Sequence, residues 1–193
     1  DNVYEISVTV SDGSLTDSEN FTISVTNDTS DDVTTEGMDG TYVGAGPIQS
    51  ATVCIEVDSG TCAGASYTTT TASDGTFSLT IDSGITGVLR GEGGFDPVTN
   101  LQFGDNSGFS LGQPVTDQNF VVTPLSSIMN ADGSTDYDTF KTKLGLDSDY
   151  MIRFNDPFSN LSNASLNKAA VVNTQIAIMK SIISELGSGS ESD

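Results

Sequence analysis

Hydrophobic and polar positions alternate with period two through much of the first 122 residues, then switch to three- and four-residue steps. At the start, Tyr4, Ile6, Val8 and Val10 are interleaved with Glu5, Ser7 and Thr9, and Phe21, Ile23 and Val25 with Thr22 and Ser24. β-Branched and aromatic residues in strict alternation predict two half-buried strands, joined here through the polar Ser11-Asp12-Gly13-Ser14 step. Two strands alone are marginal in water, so residues 1–27 read as the tail of a larger sheet.

After an acidic stretch, 28–40, a second β unit is expected over 41–122. Gly46 to Val53 leads into Thr52-Val53-Cys54-Ile55-Glu56-Val57, Tyr67-Thr68-Thr69-Thr70-Thr71 follows, and Thr76-Phe77-Ser78-Leu79-Thr80-Ile81 alternates. Asp74-Gly75 is a strong hairpin signal between the last two. Short strands are expected at 87–90, 101–103 and 119–122, at the spacing of a sandwich. Gly93-Gly94-Phe95-Asp96 and Gly104-Asp105-Asn106 read as loops, since no nonapeptide calcium repeat continues from them.

From Thr123 the pattern turns helical, giving an extension over 123–187. Pro124 suits a first helical position. Ser134 to Gly145 places a capping hydroxyl and aspartates early, lysines late and a glycine at the end, the order a helix dipole favours. Asn163 to Leu186 carries Leu166, Ala169, Ala170, Val172, Asn173, Ile176, Met179, Ile183 and Leu186 at helical steps, a stripe expected to cover one face of the sandwich. Residues 188–193, Ser-Gly-Ser-Glu-Ser-Asp, read as a flexible linker towards a further domain.

Charge narrows the function classes. The 193 residues hold 27 acidic and 6 basic side chains, a net charge of −21, with no histidine or tryptophan. Such a chain repels nucleic acid and anionic lipid surfaces and lacks the commonest general base and zinc ligand. No stretch approaches the roughly 18 apolar residues of a membrane span. The N-terminus has no signal-like region, so the expectation is a processed or longer chain. Residues 1–36 hold nine acidic and no basic side chains. Asp12, Asp28, Asp31 and Asp32 crowd a short hinge whose natural counterpart is a hard cation with oxygen ligands, calcium; the alternative is a solvated acidic linker. Cys54 and Cys62 flank an Asp-Ser-Gly turn and face each other if it centres on Asp58, within reach of a disulfide. A reduced core pair is the alternative. A bridge places the protein outside a reducing cytosol.

The strands Tyr4–Val10 and Phe21–Thr26, the Ser11-Asp12-Gly13 step and the acidic 27–32 segment resemble the end of a cadherin-like or related immunoglobulin-like repeat of large bacterial surface proteins. That resemblance implies calcium held by Asp12, Asp28, Asp31 and Asp32, although the Asp-x-Asn-Asp-Asn order of cadherins is not reproduced. The 41–122 pattern, with its threonine-rich strand and Asp74-Gly75-Thr76-Phe77, resembles the transthyretin-like sandwich of carboxypeptidase regulatory-like domains, which implies a stalk, spacer or accessory module. The fold class expected is therefore mainly β: an Ig/transthyretin-like sandwich with a C-terminal helical segment, preceded by two cadherin-like strands.

Candidate catalysis is weak. Ser165-Leu166-Asn167-Lys168 has the Ser-x-x-Lys spacing that brings an amine onto a hydroxyl, but no Lys-Thr-Gly strand follows. Asp132 to Asp138 alternates oxygen side chains as a calcium loop does, yet Tyr137 stands where glycine is needed. No lysine precedes Lys141, which excludes a lysine-to-asparagine cross-link within the sandwich. The expectation is a non-enzymatic structural or adhesive module, extracellular or at the cell surface and stiffened by calcium. Its partners would be neighbouring domains of one long chain, or neighbouring copies by strand addition, with a surface glycan or protein as ligand. The alternative is an accessory glycan-binding module of a secreted polysaccharide-degrading enzyme.

Overall fold

The computed structural model describes residues 2–26, 32, 34–56, 60–104, 108–112, 119–132 and 137–188. The chain divides into two compact units, one up to Thr34 and one from Thr35. In the first, β1 (Asn2–Ser11) and β2 (Thr16–Val25) pair antiparallel from Asn2 opposite Val25 to Ser11 opposite Thr16. The register sorts the side chains by face. Tyr4 sits opposite Ile23 and Ile6 opposite Phe21, with Val8, Val10 and Val25 on the same side, where Glu19 and Asp17 oppose Val8 and Val10; apart from Val3, the reverse is polar, with Glu5 opposite Thr22, Ser7 opposite Asn20 and Thr9 opposite Ser18. The apolar residues of the first face are 44–63% exposed.

The second unit is mainly β, with helices at its C-terminal end. Its strands are β3 (Thr35–Tyr42), β4 (Thr52–Glu56), β5 (Tyr67–Thr70), β6 (Thr76–Asp82), β7 (Val88–Glu92), β8 (Phe95–Asp96), β9 (Leu101–Gln102), β10 (Gly108–Gly112) and β11 (Asn119–Val122). One sheet has the order β10-β7-β4-β5, all antiparallel; a second has the order β11-β3-β6, with β11 parallel to β3; β8 and β9 pair antiparallel in a small third. Inward residues of both sheets form one cluster, with Met38 and Tyr42 from β3, Val53 and Ile55 from β4, Phe77, Leu79 and Ile81 from β6, Leu89, Phe109, Phe120 and Val122. Two sheets sharing one core is the economy of a sandwich.

Three local expectations are corrected. First, 35–40 is not linker but most of β3, so the second unit starts at Thr35; Met38, Gly40 and Tyr42 face the core. Second, Asp74-Gly75 makes a tight turn, with Gly75 N–H donating to Ala72 O at 3.0 Å and Ala72 N–H to Thr76 O at 2.8 Å, but it is no hairpin. β5 pairs with β4 and β6 with β3, so the turn carries the chain from one sheet to the other. Third, Phe95–Asp96 and Gly108–Gly112, read as loops or unassigned, are strands.

α1 (Pro124–Asp132) opens on its proline and lies against β10 and β11, the edge strands of the two sheets. Covering edges with a helix removes an open template for further pairing. α2 (Tyr137–Lys143) ends as its glycine predicts: Gly145 has φ +66°, Leu146 N–H donates to Lys141 O at 2.9 Å and Gly145 N–H to Thr142 O at 3.1 Å. α3 (Ala164–Ser188) is capped by Asn163, whose Oδ1 accepts the amides of Ser165 and Leu166 at 3.0 and 3.1 Å. Its buried side is made of small residues, Ala169, Ala170, Asn173 and Ala177; Met179 and Ile183, expected inside, are exposed together with Ile178 and Ile182. Alanines let α3 approach α1 closely, and that contact rather than the largest side chains fixes which side turns inward.

Candidate functional site

The four expected calcium ligands are not gathered by the described structure. Asp12 occupies the β1–β2 turn, where its Oδ1 accepts the amides of Leu15 at 2.8 Å and Ser14 at 2.9 Å. Those two bonds, Leu15 first, hold its carboxyl below the usual carboxylate range. Asp32 is exposed, while Asp28 and Asp31 lie outside the described residues. The register puts Asp12 at one end of the ribbon and Val25, which leads to the acidic segment, at the other. Nine residues of antiparallel strand separate those ends by about 30 Å. Among the described residues no group of three or more carboxylate or cysteine side chains is arranged to hold a metal.

Cys54 and Cys62 are bridged, with Cα atoms 5.6 Å apart. The geometry differs from a cross-strand pair: the residue opposite Cys54 on β5 is Thr68, and Cys62 lies in the segment before β5. Thr52, Cys54 and Glu56 alternate with the core residues Val53 and Ile55, so the bridge stands on the outer face of the sheet. There Cys62 N–H donates to Glu92 Oε2 at 2.9 Å, Gly60 N–H to Glu56 Oε1 at 2.7 Å, and Arg90 Nε meets Glu92 Oε1 at 2.5 Å. The bridge and two glutamates thus pin the 60–62 stretch over β4 and β7. Closing so short a loop stabilises by about 2–3 kcal/mol. Reduction, or the double change Cys54→Ala and Cys62→Ala, is expected to lower the urea midpoint accordingly without changing the denaturant slope.

Two buried polar side chains tie the second unit together, and sequence reasoning assigned neither. Asp96, fully buried, accepts Ala45 N–H on Oδ2 at 2.9 Å and Val98 and Thr99 N–H on Oδ1 at 2.9 and 3.4 Å. Asn173, placed in the helical stripe by its spacing alone, donates from Nδ2 to Gly44 O at 2.5 Å and accepts Leu125 N–H at 3.2 Å. It therefore links α3 to the start of α1 and to the turn after β3.

Lys168 of the Ser-x-x-Lys tetrad is held by Asp147 at 3.0 Å, and that bond is the main cause lowering the Asp147 carboxyl. Of the Asp132 to Asp138 stretch, 133–136 lie outside the described residues, and Asp138 pairs with Lys141 at 3.0 Å. Lys180 packs over the Phe109 ring, 4.6 Å from its centroid, and donates to Gly108 O. Burial first, then the Arg90 charge, pushes its ammonium down to about 8, with Glu92 opposing. Because the unfolded value is about 10.4, unfolding takes up a proton between those limits, so stability rises with pH through that window. The free energy of urea unfolding is expected to climb between pH 7.5 and 9.5 by on the order of 1–2 kcal/mol, and not to climb in Lys180→Met. Above about pH 10 the trend reverses, because the Tyr42 and Tyr150 phenols, raised by burial, and that of Tyr67, raised by its bond to Asp82, hold their protons longer when folded.

Two of the concavities among the described residues bear on function. One, of about 340 Å³, is framed by α1, α2 and the 150–154 turn; the other, of about 760 Å³, is a polar groove on the outside of the β11-β3-β6 sheet. Comparison with family models, with curated proteins and with solved structures finds no match to this chain.

Proposed function

We propose that the chain is a non-catalytic structural module of a secreted or cell-surface protein, serving adhesion or fibre assembly. The observation that carries this reading is the β1–β2 ribbon. Its apolar face, with Tyr4, Ile6, Phe21 and Ile23 all about half exposed, has the composition of the inner side of a larger sheet. Such a ribbon is stable only once further strands or a second layer cover that face, supplied by a neighbouring domain of the same long chain or by another copy. In this reading the ribbon is the end of a cadherin-like repeat and the second unit a transthyretin-like spacer. The disulfide is compatible with an oxidising location, and an outer-face bridge resists shear between loop and sheet.

Calcium is proposed for the acidic hinge, with Asp28, Asp31 and Asp32 as ligands and Asp12, at the far end of the ribbon, belonging to a second joint. Scattering and mass measurements on the whole chain test this. Calcium should shrink the spread of conformations relative to chelator, and an unchanged radius of gyration rejects it. A mass rising with concentration supports strand addition between copies, whereas a constant monomer leaves completion within a longer chain.

The polar groove favours one second reading, an accessory glycan-binding module. Asp39, Thr41, Ser78, Asn119 and Asp156 offer hydroxyl, amide and carboxylate partners beside the Phe154 ring. Retention on agarose, alginate, chitin or starch that is lost in Asn119→Ala would move the assignment there.

A further inference from the structure

We infer that the outer edge of β1 docks β1 of a second copy, antiparallel and two-fold at Ser7, giving a four-stranded sheet of order β2-β1-β1-β2. The inference deepens the proposed function and rests on its reading of the ribbon as an incomplete sheet. Among the described residues β1 pairs with β2 alone. Asp12 N–H donates to Leu15 O at 3.2 Å, which fixes the phase of the ladder: Ser11 and Thr16 form a non-hydrogen-bonded pair, and the alternation along the strands follows. Tyr4, Ile6, Val8 and Val10 therefore bond across to β2, while Val3, Glu5, Ser7 and Thr9 turn their N–H and C=O groups to the open side. The hydroxyl oxygens of Thr9 and Ser18 lie 2.8 Å apart, in keeping with the closer side chains of a non-bonded pair.

The two edges of the ribbon are not equivalent. β2 carries Asp17 and Glu19 on the apolar face, opposite Val10 and Val8. A carboxylate pointing into the face that must be buried keeps a strand at the edge of its sheet. β1 has no such guard. Tyr4, Ile6, Val8 and Val10 are all apolar on that face, the one charge, Glu5, lies on the reverse, and the strand holds no bulge, lysine or proline. A second β1 meets this edge in register. The outward groups all belong to odd-numbered residues, so a bonded antiparallel pairing sets odd against odd and keeps both apolar faces on one side. Centred on Ser7, it places Ile6 opposite Val8 of the copy, Tyr4 opposite Val10 and Glu5 opposite Thr9, so no carboxylate faces its equivalent. The middle of the new sheet is then apolar on its inner face, with Asp17 and Glu19 at the flanks, and four strands replace a marginal two. β2 joined to itself in the same way would instead put the carboxylates of both copies in the middle.

The experiment is analytical ultracentrifugation of the whole chain, with amide hydrogen exchange at low and high concentration. The mass should climb towards twice 20.0 kDa from micromolar to submillimolar concentration, and more readily as salt screens the negative charge. In the dimer the amides of Glu5, Ser7 and Thr9 should gain protection, while those of Ser18, Asn20 and Thr22, outward on β2, should not. Ser7→Pro removes an outward N–H without touching the β1–β2 ladder and should weaken dimerisation about tenfold or more; Asn20→Pro makes the same change on the other edge and should leave it within about twofold. A constant monomer, equal weakening by the two prolines, or protection gained on β2 instead of β1 overturns the pairing. A monomer whose ribbon amides exchange freely still leaves the structural-module reading, with another domain as the ribbon's cover; a monomer whose ribbon is protected removes the ground of both.

Discussion

Replacing Asp96 by alanine is expected to destabilise the second unit by about 3 kcal/mol, because three backbone amides lose their acceptor at once and one of them, Ala45 N–H, is deeply buried. The loss spans the chain: Ala45 follows β3, whereas Val98 and Thr99 belong to the turn after β8, so a single carboxylate joins segments 51 residues apart. The surrounding sequence is shaped for it. A Cβ at Gly44 would come within 2.9 Å of Asp96 Oδ2, so the chain can wrap the carboxylate there only as glycine, while one at Gly46 would meet Val98 Cγ2 at 2.3 Å. Asp96→Asn separates charge from geometry. It keeps one carbonyl oxygen but turns an NH2 group towards an amide donor, and should cost about half as much. Urea unfolding at neutral pH reads both changes. An alanine variant as stable as the parent would mean that water replaces the carboxylate, and the knot would then contribute nothing.

The same region shows why part of the fold is legible in sequence and part is not. Strand β6 announces itself, since Phe77, Leu79 and Ile81 alternate with threonine and serine and one face is buried, while β5, β7 and β11 are marked by their threonine, valine, leucine and phenylalanine. β3 hides because Glu36-Gly37-Met38-Asp39-Gly40 has a poor strand composition; what makes it a strand is the position between β11 and β6, a tertiary cause. The turn at Asp74-Gly75 is local chemistry and forms as expected, with Asp74 Oδ1 accepting Thr76 N–H and Oγ1–H at 3.1 and 2.7 Å. Which sheet each flanking strand then joins is decided by non-local pairing that no turn residue encodes. Likewise a separation of eight positions between the cysteines suggests a bridge, but not that the bridge straps a loop over the outside of a sheet. For the candidate site, the acidic segment is plain in composition, whereas its geometry is not: the distance between Asp12 and the linker follows from the ribbon's register. The apolar cavity could not have been read from spacing, since Met129, Tyr137 and Ile152 come from three separate segments.

α3 carries a related lesson. From Ala169 to Ile183 the helix is apolar on almost every side, so a three- and four-residue rhythm fits several stripes equally well. Besides the close contact of the alanines with α1, Asn173 favours the small side, because from there it satisfies Gly44 O and Leu125 N–H. An amide in an apolar stripe was the one signal that could have oriented the helix, because a buried amide must find partners.

The second large effect is expected at Gly40. A Cβ there would lie 2.5 Å from Phe77 Cζ and 2.6 Å from Phe120 O, the ring of one neighbouring strand and the backbone of the other. Phe77 could swing aside only into the core it fills with Met38 and Leu79, and the Phe120 carbonyl is fixed in the parallel ladder between β11 and β3. Overpacking of this kind costs about 1–3 kcal/mol where the neighbours can yield, so Gly40→Ala should reach or exceed the top of that range and Gly40→Val should leave the second unit unfolded. Gly37 supplies the control in the same strand, because a Cβ there meets nothing within 4 Å. Gly37→Ala should be neutral, or stabilising by up to about 1 kcal/mol through the unfolded chain. Thermal and urea unfolding of the three variants decide the matter: equal stability for the alanines at 37 and 40 would show that β3 does not lie between β6 and β11, and with it would fall the boundary of the second unit at Thr35.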